Sequence, residues 1–408
     1  MQCFTRLRVT CALVAITNAC TALAQSTSKD SAGVRIVENT RPAGRDWTVS
    51  PQPLVDIGSG EDTLYQLATV MGAVRLTSGH IAVAHMSTGN VRIYDARGRY
   101  IRALGRRGQG PGEFRQVMGV SRIPGDTIVV DDSRDEVELY SGEGRFLQGI
   151  RTPHVQTGLV VGGYYRFDDG SYARSSWPQG HDHGPGRWVD SLVVLRVSAD
   201  SPEGTIISKH PAVEFTKTAT LPFPQPVVFG PKGGIVTAGD GYYVGFAERY
   251  QIRFHRADGR LQYIIRAPWK PAPVPNADME RYKQFTINMG AEGGGRVDPR
   301  LLAQRQKMMD EVVFARQLPA YSVMKVDADR NLWVRSAYVE TEIGQGWSRV
   351  ISTPTTWRVF DRTGKWSANI TLPARFNPMD IGTDYVLGLW RDEDDVEHVR
   401  MYRLNKPN

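Results

Sequence analysis

A pattern of 46 to 47 residues, written twice in the first third of the chain, constrains this sequence more than any other feature. Residues 71–76 read MGAVRL and return at residues 118–123 as MGVSRI, a shift of 47. Residues 93–104 read IYDARGRYIRAL and return at residues 139–150 as LYSGEGRFLQGI, a shift of 46. One such unit cannot bury its own apolar face, so it must stack on further copies of itself.

Within a unit the grammar is that of short antiparallel strands. An apolar strand at residues 73–76 meets a turn at Thr77-Ser78-Gly79, then a second strand at residues 81–84. A third, alternating strand ends at Asp95, and Ala96-Arg97-Gly98 turns the chain into a fourth at residues 99–104. Glycine at such a turn supplies the positive φ that a tight hairpin needs. Four short strands in roughly 40 to 50 residues make one blade of a β-propeller. The last turn recurs at Gly144, Gly259 and Gly364, with a looser copy, DSPEGTII, at Gly204. The first two strands recur at residues 165–173, 228–237 and 323–334, and a sixth copy begins near Met379.

That sixth copy reaches the end of the chain where its fourth strand should start. Residues 53–58, PLVDIG, form an orphan strand near the other end. An open ring would leave unpaired strand edges, so the orphan is expected to complete the last blade. The expected fold is therefore all-β: a six-bladed propeller of four-stranded antiparallel blades, closed by the N-terminal strand. Residues 25–408 would form it as one domain. Residues 268–319 interrupt the pattern between blades four and five. There Asp298 reads as an N-cap with Pro299 at the first helical position, and Leu301, Leu302, Met308, Met309, Val312 and Val313 can share a stripe, so two helices are expected.

Residues 1–24 read as a secretory signal: Arg6 and Arg8 precede an apolar stretch, and Ala22-Leu23-Ala24 offers a cleavage site. The apolar run is shorter than the roughly 20 residues a membrane span needs. An extracytoplasmic protein, periplasmic or secreted and without a transmembrane segment after cleavage near Ala24, is the expectation. The sequence holds 3 cysteines, Cys3, Cys11 and Cys20, all inside that segment, so the mature chain has no disulfide to use. Cleavage would lower the net charge from +7 to +5. That mild excess, with no concentrated basic stripe, gives no reason to expect nucleic-acid binding.

Residues 104–114, LGRRGQGPGEF, match the signature of bacterial six-bladed propellers related to the NHL repeat, within the TolB-like propeller superfamily. The opening GVRIVEN at residues 33–39 and the block GHIAVAHMSTGNVRIYDARGRYIRALG also resemble exported members of that group. The resemblance implies the fold. It leaves chemistry open, because relatives of the wider superfamily include lyases, hydrolases and binding modules.

Three arginines share one repeat position: Arg75, Arg122 and Arg166 each stand six residues before the first apolar residue of the second strand. Lys325 falls close to the same place in blade five. If these strand ends approach the axis, an anionic ligand could sit there on charge-assisted hydrogen bonds. Alternatively each arginine pairs with an acid between blades, such as Asp168 or Asp169. His181 and His183 lie on alternate positions of an extended segment and could share a divalent metal, although zinc would need a third ligand. No other cofactor is expected. The glycine-rich stretch of residues 105–112 lacks the strand-loop-helix context and the Gly-Lys-Ser/Thr ending of a phosphate loop, and reads as a bridge between blades. Asp131-Asp132 is expected to tie a loop by accepting backbone hydrogen bonds.

No cysteine nucleophile, G-x-S-x-G elbow or H-E-x-x-H helix is present. The expected role is that of a non-catalytic binding or scaffold module engaging a protein, peptide or glycan across one face. A hydrolase or lyase in the central channel, metal-assisted through His181 and His183, is the alternative.

Overall fold

The structure, a computed structural model, describes residues 25–407 apart from residues 59, 61, 124, 134–135, 152–159, 178–182, 199, 220–222, 290–297 and 342–350. Six sheets follow one another along the chain. Blade one takes Val70–Arg75, Ile81–His85, Asn90–Tyr94 and Tyr100–Leu104 in order. Burial falls from inside to outside. Ile81–His85 is buried at every position because neighbouring blades cover both its faces, whereas Tyr100–Leu104 is mostly exposed at the rim. Blade two repeats the arrangement with Val117–Ile123, Thr127–Asp132, Glu136–Tyr140 and Phe146–Arg151. Blade five repeats it with Val323–Val326, Leu332–Arg335, Thr355–Phe360 and Trp366–Leu372.

The innermost strands touch one another: Val70–Arg75 lies beside Val117–Ile123 and beside Phe376–Ile381 of blade six. Between blades, apolar side chains interlock. Ile57, Ile81, Val83 and Tyr94 pack with Leu387 and Val399 between blades six and one. Trp333, Trp357 and Val359 pack with Phe376 and Val386 between blades five and six.

Blade six takes Phe376–Ile381, Tyr385–Arg391 and Glu397–Asn405. The N-terminal strand Val55–Ile57 pairs antiparallel with Glu397–Asn405, setting Met401 opposite Val55 and Val399 opposite Ile57. Thr48–Val49 pairs further along the same strand. Charge reinforces the register. Asp56 accepts from Arg400 Nε at 2.9 Å and lies 2.8 Å from His398 Nδ1. Gly58 then passes so close to the last strand that an added Cβ would lie 2.6 Å from the Glu397 carbonyl oxygen.

Three sheet details depart from expectation. Blade four begins at Gly233–Ala238, not at residue 228, and its first turn is the two-residue Gly239-Asp240. GPKGG resembles a hairpin turn, but Gly239 at φ +67° makes the tighter connection, and Val228 instead bridges to Phe314. The same sheet has six strands: the hairpin Ser26–Ser31 and Val34–Asn39 adds in parallel to the outer strand Leu261–Arg266. Buried Asn39 holds it there, donating to the Arg266 and Gly364 carbonyls at 3.1 Å and accepting from Trp366 N–H at 2.8 Å. In blade three, Gly204 is a positive-φ irregularity inside Ser201–Lys217, and Ser198 already pairs with Ser201. That sheet also carries a fifth, two-residue strand, Gln225–Pro226.

Between blades four and five lie helices α1, Asn276–Asn288, and α2, Pro299–Asp310. The Asp298 side chain accepts from Arg300 N–H at 2.8 Å as N-cap, with Pro299 following. Met309 is the buried residue of α2, while Leu301 is exposed and Val312 and Val313 lie past its end. Phe229, just ahead of blade four, packs on Tyr282 and Phe314. The helices therefore sit by the end of the ring where the innermost strands begin. Among the described residues no helix is long and apolar enough to cross a membrane.

In blades one and two the entering loop is tied down from the second strand. Asp132 accepts from the backbone N–H groups of Arg115 and Gln116 at 3.0 and 3.2 Å. In blade one His85 stands in its place, and Ala68 N–H donates to Nε2 at 2.9 Å. That bond requires a neutral ring, and burial together with nearby Arg92 lowers the His85 pKa to about 4.

Two outcomes are expected. Deleting residues 51–58 strips the last blade of its partner strand and should give an unfolded or oligomeric protein by light scattering and circular dichroism; a stable monomer would refute this account. The unfolded chain binds a proton on His85 below about 6.5 while the folded one resists until about 4, so stability should fall as pH drops through that window. His85→Gln keeps the acceptor without the titration, and urea melts between pH 7 and 5 should show a flatter slope; an unchanged slope would refute the assignment.

Candidate functional site

A blade's innermost strand ends, at one face of the ring, in a turn opened by an apolar residue. The residue just before it is Arg75, Arg122 and Arg166 in blades one to three, and Lys325 in blade five. By the same register blade four supplies Thr237 and blade six Asp380. Asp380 is the one acid of this ring of positions, and it escaped sequence reading because MDIGTDY lacks the basic residue that marks the other copies. Placing Asp380 immediately before Ile381, as Arg75 precedes Leu76, would have found it.

The groups meet at Asp380. Its Oδ2 accepts from Arg75 backbone N–H at 2.9 Å and from Tyr385 OH at 2.7 Å. The Arg75 guanidinium lies 4.9 Å from the centroid of the Tyr385 ring. Arg122 of blade two and Lys325 of blade five also act electrostatically on this carboxylate. Blade two adjoins neither blade five nor blade six in the ring, so side chains of all three can share one charge only near the axis. Burial nevertheless outweighs the cations and raises the Asp380 pKa. Burial, with Arg335 nearby, lowers that of Lys325 to about 8. Arg166 holds the corresponding position in blade three, but no described interaction ties it to Asp380.

The acids offered by sequence as partners for these arginines are engaged elsewhere. Asp168 accepts from Arg330 at 2.7 Å, and Asp169 accepts from Arg196 at 2.5 Å. Among the described residues, the Arg75, Arg122, Arg166 and Lys325 side chains form no hydrogen bond or ion pair. The Arg75 Nε is buried as well as unpartnered.

Asp131 and Asp132 part company. Asp132 is the loop tie, whereas the Asp131 carboxylate lies over Gly119, where an added Cβ would come within 2.9 Å of Oδ2. Burial raises the Asp131 pKa to about 6, opposed by Arg174 of blade three. The channel wall thus holds an acid able to change charge near neutral pH.

His181 lies outside the described residues. His183 stands 3.9 Å from Asp190 Oδ1 and packs edge-on against Trp188 at 5.1 Å. Among the described residues no group of 3 or more His, Cys, Asp or Glu side chains is placed to hold a metal ion. The glycine-rich loop leaves its amides no vacancy for phosphate: Glu113 accepts from Gln109 and Gly110 N–H at 3.0 Å and from Arg106 at 2.8 Å. Its glycines serve packing, since a Cβ on Gly105 would lie 2.2 Å from the Phe114 ring.

At the opposite end of the blade-five strands lies a pocket of about 160 Å³ between Phe229, Leu318, Tyr321, Val323, Arg335 and Tyr338. Arg335 is 8% exposed, and its Nε donates to Ser322 Oγ at 3.0 Å. Sequence reading passed over it because no repeat position marks it.

Residues 66–180 match the model of a family described as 6-bladed beta-propeller. A solved member of the DUF4221 family from Bacteroides vulgatus is similar at 9% identity, covering 89% of this chain and 99% of its own, with a TM-score of 0.51. A protein of Bacteroides fragilis described as exported is similar at 12% identity, covering 91% and 100%, with a TM-score of 0.48. Virginiamycin B lyase from Staphylococcus aureus is similar at 8% identity, covering 89% and 100%, with a TM-score of 0.39. Among curated proteins none matches. At 9% identity the DUF4221 structure speaks to the fold alone. With six consecutive sheets and the matched segment spanning blade one, blade two and the start of blade three, the chain has the fold of a six-bladed β-propeller.

Proposed function

We propose that this propeller is a non-catalytic binding module that takes acidic side chains of a protein or peptide partner at the turn face of its channel. The observation that carries the reading is the set Arg75, Arg122, Arg166 and Lys325: four cations at one register level without a hydrogen-bonded or ion-paired acid among the described residues. Removing cations from water without pairing them is costly, and an incoming carboxylate offsets that cost with charge-assisted hydrogen bonds. Asp380 balances part of the charge and keeps the ring from closing on itself. The β-strand pairing of residues 55–57 with the last blade is, in this reading, the seal that holds the six turn ends at a common level.

The alternative of a hydrolase or lyase draws on Asp131, whose raised pKa suits proton transfer. It still lacks a nucleophile or an electrophilic partner beside that carboxyl among the described residues. We further propose that the mature protein is extracytoplasmic and starts at Gln25, on the strength of the N-terminal pattern.

Binding to an immobilised oligoglutamate peptide should be saturable, should weaken steeply with salt, and should exceed binding to oligoglutamine. Arg75→Gln and Arg122→Gln should each weaken it about tenfold or more, while Asp380→Asn, which keeps an acceptor for Arg75 N–H but removes the competing charge, should tighten it. Equal affinity for both peptides, or indifference to both arginine variants, would end the proposal. Mass spectrometry of protein recovered from the source cell envelope should give a chain beginning at Gln25; a chain retaining residues 1–24 would rule out cleavage at that position.

A further inference from the structure

The pocket beside the helices is a second site, opening at the start of the blade-five strand that ends in Lys325. It lies where blade five's innermost strand begins, between Val323 and the segment of Phe229, Gly230 and Lys232 that leads into blade four. Its polar lining is Arg335, 8% exposed, together with Lys232, Ser322 and Tyr338. Among the described residues the Arg335 side chain makes one hydrogen bond, from Nε to Ser322, and pairs with no carboxylate. The Trp357 ring, 5.8 Å from the guanidinium carbon, provides a cation–π contact. Such a contact offsets only part of the cost of burying an unpaired ion. The Tyr321 ring lines the chamber, but its hydroxyl lies over Gly245 of blade four, where an added Cβ would come within 2.1 Å of it. The Arg335 guanidinium thus borders the pocket without a carboxylate counter-ion among the described residues.

The remaining wall sets the rest of the ligand. Phe229, Leu318, Pro319, Val323 and Ala337 are apolar. A volume of about 160 Å³ is close to that of a cavity that accommodates benzene. The five apolar side chains favour a ligand with an apolar body over a bare inorganic anion. We infer that this pocket binds a small organic carboxylate with a compact apolar body, its carboxylate taken by Arg335 and its body held against Phe229, Leu318 and Val323. The inference does not rest on the turn-face reading, and either can fail alone.

Benzoate is the probe, with benzamide as its neutral counterpart of the same shape, titrated into the full-length mature protein by calorimetry and followed by thermal melting. Benzoate should bind saturably and raise the melting temperature, and benzamide should bind about tenfold more weakly or worse. Arg335→Gln should abolish the preference for benzoate. Ala337→Phe, which fills the chamber without touching the guanidinium, should block both probes. Arg122→Gln should leave benzoate binding unchanged. If Arg335→Gln does not fold, Ala337→Phe decides the question. Absence of saturable benzoate binding, an undiminished benzoate preference in folded Arg335→Gln, unchanged binding in Ala337→Phe, or loss of binding in Arg122→Gln would overturn the assignment.

Discussion

Everything else in this molecule hangs on one strand edge. Glu397–Asn405 is the third strand of the last blade, and without a partner its outward backbone groups would face solvent beside an apolar blade face. Val55–Ile57 supplies that partner from more than 340 residues away, with Ile57 fully buried and Asp56 bound to His398 and Arg400. A contact of such sequence separation is expensive in loop-closure entropy. It is held because it completes the apolar layer between blades six and one, where Ile57 joins Ile81, Tyr94, Leu387 and Val399. Blade packing then sets the innermost strands side by side, and their turn ends converge on Asp380.

That convergence produces an electrostatic arrangement no single blade could hold. One carboxylate, raised in pKa by burial, sits among cations from blades one, two and five. Nearby acids that could have neutralised the arginines are used as braces between turns: Asp168 reaches Arg330 of blade five, and Asp126 bonds Thr77 of blade one. The turn face is thus stiffened by its acids while its cations stay available. At the other end of the strands the helices and the Phe229 segment shape a chamber around Arg335.

What could be read in advance follows the range of the interaction. The Gly98, Gly144, Gly259 and Gly364 turns and the Asp298 cap are local, a few consecutive residues containing both partners of each hydrogen bond, and the Asp132 loop tie stays within one repeat unit. The repeat carried Arg75, Arg122 and Arg166 to a common register for the same reason. Blade four was misread because GPKGG and Gly239-Asp240 both have turn chemistry, and only pairing with the neighbouring strand decides which one closes the hairpin. The hairpin of Ser26–Ser31 and Val34–Asn39 was missed because its partner, Leu261–Arg266, looks like a finished blade edge until Asn39 caps it.

By itself, the sequence determined the architecture: a unit too small to bury its own face, repeated around a ring, with a leftover strand at one end and a gap at the other. It also determined which residues share a register level, because spacing along a strand is rigid. Tertiary structure alone decided which charges meet. Asp380 faces Arg75, Arg122 and Lys325, Asp168 and Asp169 are taken by Arg330 and Arg196, and Arg335 is buried with no acid beside it. The physical reason is that strand register follows from neighbours in the chain, whereas burial and ion pairing depend on side chains brought together by packing between blades.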